Sequence, residues 1–200
     1  MNRIDIVGRV LKRMDESSPQ GNVDELQNVP VETVLDEAAR LTLAALPAWL
    51  TISKPLEESP KRQEDGSGYI DLPADYLKLA KLWMEGWERP VTVAINELHP
   101  SYHHQHNPVL RGGVAKPVVA EVTKDGKRRL EYFSLPSNVS AHEIKQGYYV
   151  PLVKAEVIPS TILEPMLWKA AELAFQVMGD GDRMELCSKR FSDSCKSIMQ

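Results

Sequence analysis

Cysteine is scarce. The chain has two in 200 residues, Cys187 and Cys195, eight apart near the C-terminus. On a helix that spacing separates them by about 12 Å along the axis, beyond the roughly 7 Å between Cα atoms that a disulfide tolerates. They read as reduced thiols of an intracellular protein, acting as small semi-buried hydrophobes. Long apolar runs are lacking as well. No stretch approaches about 18 consecutive apolar residues, so no membrane span is expected. The first residues, Met1 to Val7, alternate charged and apolar side chains without an uninterrupted apolar core, so no signal peptide is expected. There is no G-x-S-x-G nucleophile elbow. The one basic Gly-Gly turn, Arg111-Gly112-Gly113, is followed by no Lys-Ser/Thr and has no strand–helix frame, which excludes a P-loop. With 24 basic and 28 acidic side chains the formal net charge is −4. That balance argues against a protein whose main task is gripping nucleic acid by counterion release.

What is present points to a folded chain. Hydrophobic residues make up 42%, enough for a core, and the length fits one domain or one domain with a small appendage. Proline, at 14 in 200, exceeds the usual share of about 5% and favours short elements with kinked connections. Ile4, Val7, Val10, Leu11 and Met14 follow helical spacing and predict a helix over 2–14. Asp15 to Pro30 is polar, with Pro19 and Gly21, and reads as a linker. Pro30 is placed to start a helix over 31–50, whose stripe runs Val31, Val34, Leu35, Ala38, Leu41, Ala45 and Leu46, with Pro47 ending or kinking it. Its apolar tail, Ala48-Trp49-Leu50, is expected to pack. Residues 53–68 lack periodicity and read as a long exposed loop, with Glu57, Glu58, Glu64 and Asp65 as solvating charges.

From Tyr69 the texture becomes β. Tyr69–Pro73 reads as a strand running into a turn; 74–84 is open between helix and strand; Val91–Ile95 reads as a strand and 96–107 as a short helix on an arm. Residues 117–123 and 128–133 predict a β-hairpin closed by the two-residue turn Asp125-Gly126. Gly147–Lys154 reads as a further strand, edge-placed by Pro151. Ser160 or Thr161 is expected to cap a helix to about Met178, and Arg183–Ile198 a last one, together an αα-hairpin. The predicted fold is α+β: N-terminal helices over 1–52, the loop at 53–68, a β-rich arm over 69–158 inserted into a bundle, and a C-terminal helical hairpin over 159–200, one structural domain overall.

Candidate chemistry is thin. His99, His103, His104 and His106 lie within eight residues beside Glu97. On a helix His99 and His103 share a face at a spacing that binds zinc, yet the segment lacks the Glu of H-E-x-x-H and carries Pro100 and Pro108. It reads more plainly as a polar, exposed arm. Cys195 has no histidine nearby in sequence to activate it. Arg111, Lys116, Lys124, Lys127, Arg128 and Arg129 gather on or near the hairpin, partly offset by Glu121, Asp125 and Glu131; a basic tip can touch phosphate, but a solvated edge that avoids strand pairing is the plainer reading. Tyr132 and Phe133 are adjacent and face opposite sides, so they form no stacking platform. No catalytic, cofactor-binding or metal residue is assigned. Trp49, Trp83, Trp87 and Trp168 read as core or interface.

Leu72-Pro73-Ala74-Asp75-Tyr76-Leu77-Lys78-Leu79 followed by Gly86-Trp87-Glu88-Arg89-Pro90-Val91 resembles the middle of tailed-bacteriophage head-to-tail adaptor (connector, ring) proteins, above all those of crAss-like and other short-tailed phages. Asn107, Arg111-Gly112, Lys116-Pro117, Leu130-Glu131-Tyr132-Phe133 and Tyr149-Val150-Pro151 continue the likeness, and so do the helices at Val34–Arg40 and Pro165–Ala171. It spans residues 31–180 and rests on layout and short phrases. The resemblance implies a structural virion protein, not an enzyme, made in the host cytoplasm. It would form a dodecameric ring under the portal protein, contact adjacent tail or ring proteins, and let DNA pass through its lumen only as cargo. Two other classes stand beside it. One is a metal-binding module or metal-dependent enzyme using His99–His106. The other is a nucleic-acid-binding regulator whose salt-dependent affinity would fall on Lys127→Ala with Arg128→Ala and Arg129→Ala.

Overall fold

The computed structural model describes residues 1–16, 31–63, 66–107, 109–135 and 142–200. The expectations placed on 17–30, on Glu64 and Asp65 and on Pro108 lie outside the described residues. Among those described, the chain is mixed α and β, with five α-helices and eight strands in two sheets; helices from both ends flank a strand-rich middle. It divides into two compact units, Met1–Ile52 with Leu152–Gln200, and Ser53–Pro151. The second starts at Ser53 where the sequence pattern placed an exposed loop, and residues 152–158 belong with the helices.

The helical unit is built from α1 (Arg3–Glu16), α2 (Val31–Ala45), α4 (Leu163–Met178) and α5 (Gly181–Met199). Ile6, Val10 and Met14 of α1 recur at i, i+4 and i+8 and are buried with Leu35, Ala38 and Ala39 of α2 and Met166, Leu167, Ala170, Ala171, Ala174 and Phe175 of α4. The run of alanines on α4 lets its neighbours approach closely. Asn2 Oδ1 accepts the Asp5 N–H at 2.8 Å and caps α1. Arg3 then ties α1 to its neighbours, donating to Glu156 at 3.0 Å, to Asp36 at 3.2 Å and to the Glu32 carbonyl at 2.8 Å. α2 ends before Pro47, and Ala48–Leu50 form a 3-10 turn. Trp49 there is 73% exposed and does not pack as expected, whereas Ala48 and Leu50 on either side of it are half-buried. Ser160–Ile162 is also a 3-10 turn, and α4 begins at Leu163 without a side-chain cap, so neither Ser160 nor Thr161 has the capping role expected. Gly179, at φ 76°, ends α4 in the left-handed region, and Asp180 caps α5 by accepting the Arg183 N–H at 3.0 Å.

The β unit holds β1 (Lys54–Pro55), β2 (Lys61–Arg62), β3 (Gly68–Asp71), β4 (Tyr76–Met84), β5 (Ile95–Asn96), β6 (Val119–Lys124), β7 (Lys127–Tyr132) and β8 (Ile144–Pro151), with the short helix α3 (Pro100–Gln105). One sheet has the order β1-β8-β4 and the other β2-β3-β7-β6-β5. Ile70, Leu130, Tyr132 and Val119 from the larger sheet and Tyr76, Leu79, Leu82, Met84 and Tyr149 from the smaller share one core with Leu56, Trp87 and Leu135. The hairpin forms as expected, with Asp125 and Gly126 at φ 53° and 71°. Residues 76–84 are a strand, and the reason the pattern left them open is visible. Register shifts between Tyr76 and Lys78, Leu79 and Lys81, and Trp83 and Met84 reset the alternation, so the buried positions 76, 79, 82 and 84 fall at nearly helical intervals. The expected strand Val91–Ile95 reduces to a single bridge from Val91 to Leu82 and the two residues of β5. β8 is central, not an edge; Pro151 is tolerated because β1 pairs only with Tyr148 and Tyr149.

Candidate functional site

The outer face of the larger sheet carries a braced helix. His99 caps α3, its Nδ1 accepting the Ser101 N–H at 3.1 Å, and Pro100 occupies the first turn. Tyr102 turns toward the sheet and packs with Ala120, Val122 and Phe133. Its hydroxyl donates to Glu131 Oε2 at 2.9 Å, while Lys124 at 2.7 Å and Arg129 at 3.1 Å donate to Oε1. Glu131 is 5% exposed, and both its oxygens have donors, the condition under which a buried carboxylate is tolerated. Burial pushes its pKa up, but hydrogen bonds from Lys124 and Tyr102 and the charges of Lys124 and Arg129 outweigh it and hold the group below its usual value. Burial, then the bond to that carboxylate, drives the Tyr102 phenol up. Gln105 closes the far end: its side-chain amide donates to the Ser101 carbonyl at 3.0 Å and its Oε1 accepts the Gly112 N–H at 3.0 Å. Ser134 Oγ donates to the Gly112 carbonyl at 2.7 Å, and a Cβ on Gly112 would sit 2.3 Å from the Lys116 carbonyl oxygen.

The histidines are placed apart by this arrangement. The lone pair of His99 Nδ1 serves the cap, which puts the proton of the neutral ring on Nε2. His103 and His104 stand exposed on successive helix positions. His106 packs edge-on against Tyr102 at 4.9 Å and Phe133 at 5.3 Å between ring centroids. Among the described residues no three His, Cys, Asp or Glu side chains are grouped so as to hold a metal ion. The hairpin cations are largely spoken for. Arg128 lies over the Tyr76 ring, donates to the Tyr76 carbonyl at 3.1 Å and bonds Glu121. Lys124 and Arg129 share Glu131, and Arg129 also covers the Tyr69 ring at 4.5 Å. Lys127 makes no ion pair among the described residues. Cys187 and Cys195 are buried on α5 and form no disulfide among the described residues; burial pushes the Cys195 thiol up, away from the thiolate that nucleophilic chemistry needs.

Two groups have no counterpart in the sequence reading. Tyr132 Oη and His142 Nδ1 hydrogen-bond at 2.8 Å inside the β unit. His142 is 8% exposed and its Nε2 has no hydrogen-bond partner among the described residues; burial and then the charge of Arg62 lower its pKa. Gly68 makes room for that pair, since a Cβ there would meet the Tyr132 hydroxyl at 2.2 Å. The second group is made of exposed apolar side chains in the segments that precede and follow α3 in sequence: Val93, Leu98, Val109 and Leu110, with Leu98 92% and Val109 89% exposed. Neither has a sequence signature, because each depends on which segments the sheet brings together. The arrangement as a whole is a short helix braced onto the sheet by hydrogen bonds, with exposed apolar side chains in the segments on either side of it. No helix among the described residues is long and apolar enough to cross a membrane. No protein-family model matches the chain, and no curated protein matches it.

Proposed function

We propose that this chain is a structural subunit of the head-to-tail junction of a tailed bacteriophage. In this reading it assembles as a closed ring below the portal protein, contacts the adjacent tail or ring proteins, and catalyses nothing while DNA passes through the lumen. The observation that carries the reading is the exposed apolar set Val93, Leu98, Val109 and Leu110 in the segments before and after α3, held on a unit whose core is complete without it. Four large apolar side chains left in water within one stretch of chain support a surface that a partner covers. A ring covers it by heterologous contacts that close on themselves. The layout agrees with the resemblance: helices from both chain ends, with a strand-rich unit inserted between them. The mildly acidic balance, −4 over the chain, favours a channel wall that does not hold passing phosphate.

Light scattering or native mass spectrometry of the purified protein, with and without a purified portal ring, tests the reading. A ring, or one copy bound per portal subunit, is expected. A monomer that ignores the portal overturns it.

A further inference from the structure

β1 is only two residues long and accompanies β8 no further than Pro55 opposite Tyr148. The last rung is the Leu56 N–H donating to the Gly147 carbonyl at 2.9 Å. Beyond it residues 57–60 make no backbone hydrogen bond to β8 among the described residues, and the two segments part. On the other side β4 skips a residue, with Trp83 opposite Gln146 and Met84 opposite Ile144. Lys145 therefore has no register partner on either neighbour. A central strand with an unpaired stretch is a place where an extended chain adds by main-chain hydrogen bonds.

The gap is a groove of about 610 Å³ between residues 55–60 and 142–148. Seven residues of extended chain along its floor span about 23 Å, room for a segment of five or six. Gly147 keeps the floor low: a Cβ there would lie 3.1 Å from the Leu56 Cβ and 3.0 Å from Ile144. His142, more than nine-tenths buried and with Nε2 unpartnered among the described residues, lines the groove, and Tyr148 offers an exposed ring. The walls carry Glu57, Glu58 and Glu143, all exposed, whose carboxylates make no hydrogen bond or ion pair among the described residues. Among the described residues that line it the one lysine or arginine is Lys145, drawn over the Trp83 ring at 4.3 Å. Beyond the lining, Lys61 faces Glu58 and Arg62 faces His142, so along the groove itself three exposed carboxylates against one occupied ammonium set the charge of the guest.

We infer that this groove receives an extended, lysine- or arginine-bearing segment of a partner protein. The segment adds to β8 beside Leu56 and sets its cations against Glu57, Glu58 and Glu143. The inference stands whether or not the chain forms a ring.

The test is amide chemical-shift titration of the full 15N-labelled chain with three hexapeptides. One alternates lysine and valine, one alternates glutamate and valine, and one is the lysine peptide N-methylated at alternate backbone amides. The lysine peptide is expected to shift the Leu56, Lys145 and Gly147 amides. The glutamate and N-methylated peptides should leave them in place, the first for charge and the second because it cannot form the ladder. Glu57→Lys, Glu58→Lys and Glu143→Lys combined should weaken the lysine peptide about tenfold or more, with the Val119–Tyr132 hairpin amides unchanged as the sign that the fold is intact. If that variant does not fold, the peptide comparison decides alone. The inference fails if the lysine peptide does not bind, if either control peptide binds as well, or if a folded charge-reversed chain binds equally. It also fails if the same amides shift on dilution without peptide, since the occupant is then a second copy of this chain.

Discussion

Single side chains decide how much of the β unit survives a change. Gly68→Ala forces a methyl into the Tyr132 hydroxyl at 2.2 Å and the Lys61 carbonyl oxygen at 2.6 Å, an overpacking expected to cost about 2 kcal/mol or more and read as a lower urea midpoint. Tyr102→Phe removes one donor from the buried Glu131 and should cost about 1–2 kcal/mol, with faster hydrogen exchange confined to α3 and its contacts with β6 and β7. Acid should act on this unit in two stages. His142 has a pKa below the ordinary imidazole value in the fold, so its contribution is complete above about pH 6.5 and is lost as pH falls through that lowered value. Glu131 also titrates below its ordinary value; its contribution is complete above about pH 4.5 and is lost at lower pH. Urea midpoints measured down a pH series should therefore fall first through the imidazole window and again in the carboxylate window. His142→Gln should abolish the first fall alone, and an unchanged first fall in that variant would assign it elsewhere. None of these pairings was legible in the chain, because Tyr102 with Glu131 and Tyr132 with His142 meet only through the sheet.

At the scale of elements, sequence and structure agree where one local rule acts alone. Asp125-Gly126 forms its turn because both residues sit at positive φ, and most of the amphipathic stripes of α1, α2 and α4 is buried; Ile4 of α1 instead stands in solvent with Ile6 buried in its stead, and Ala45 and Met178 at the ends of α2 and α4 are exposed. Disagreement gathers where tertiary pairing overrides local pattern. β1, β2 and β5 are each two residues long, too short for any periodicity, and exist because a longer strand lies beside them. β4 hides its identity behind its register shifts. α5 makes a further test of local rules: it is held by its packing on α4 and by the Asp180 cap. Asp180→Ala should cost about 1 kcal/mol, with faster hydrogen exchange in the first turn of α5 and none of consequence in the β unit.

For the molecule as a whole, each unit has a core of its own. The strand-rich unit is continuous in sequence, Ser53–Pro151, while the helical unit needs both chain ends. A fragment of residues 53–151 should therefore fold alone and give a dispersed amide spectrum, and Leu130→Ala within it should cost about 2–5 kcal/mol; a collapsed spectrum from the unsubstituted fragment would show that its core is insufficient. The sequence by itself determined the helices at both ends, the hairpin, the lack of an apolar span and the α+β class, because composition, helical spacing and turn chemistry are local quantities written into neighbouring residues. The tertiary structure decided the rest: that Lys54–Pro55 and Lys61–Arg62 pair in the two sheets, that Trp49 stays in water, that the clustered histidines are divided between a helix cap, solvent and an aromatic contact, and that the first residues of β8 lack a strand on the β1 side, beside three carboxylates. Those outcomes depend on which distant segments share a strand edge or a core, and the free energy that selects them comes from burial and pairing between residues far apart in the chain.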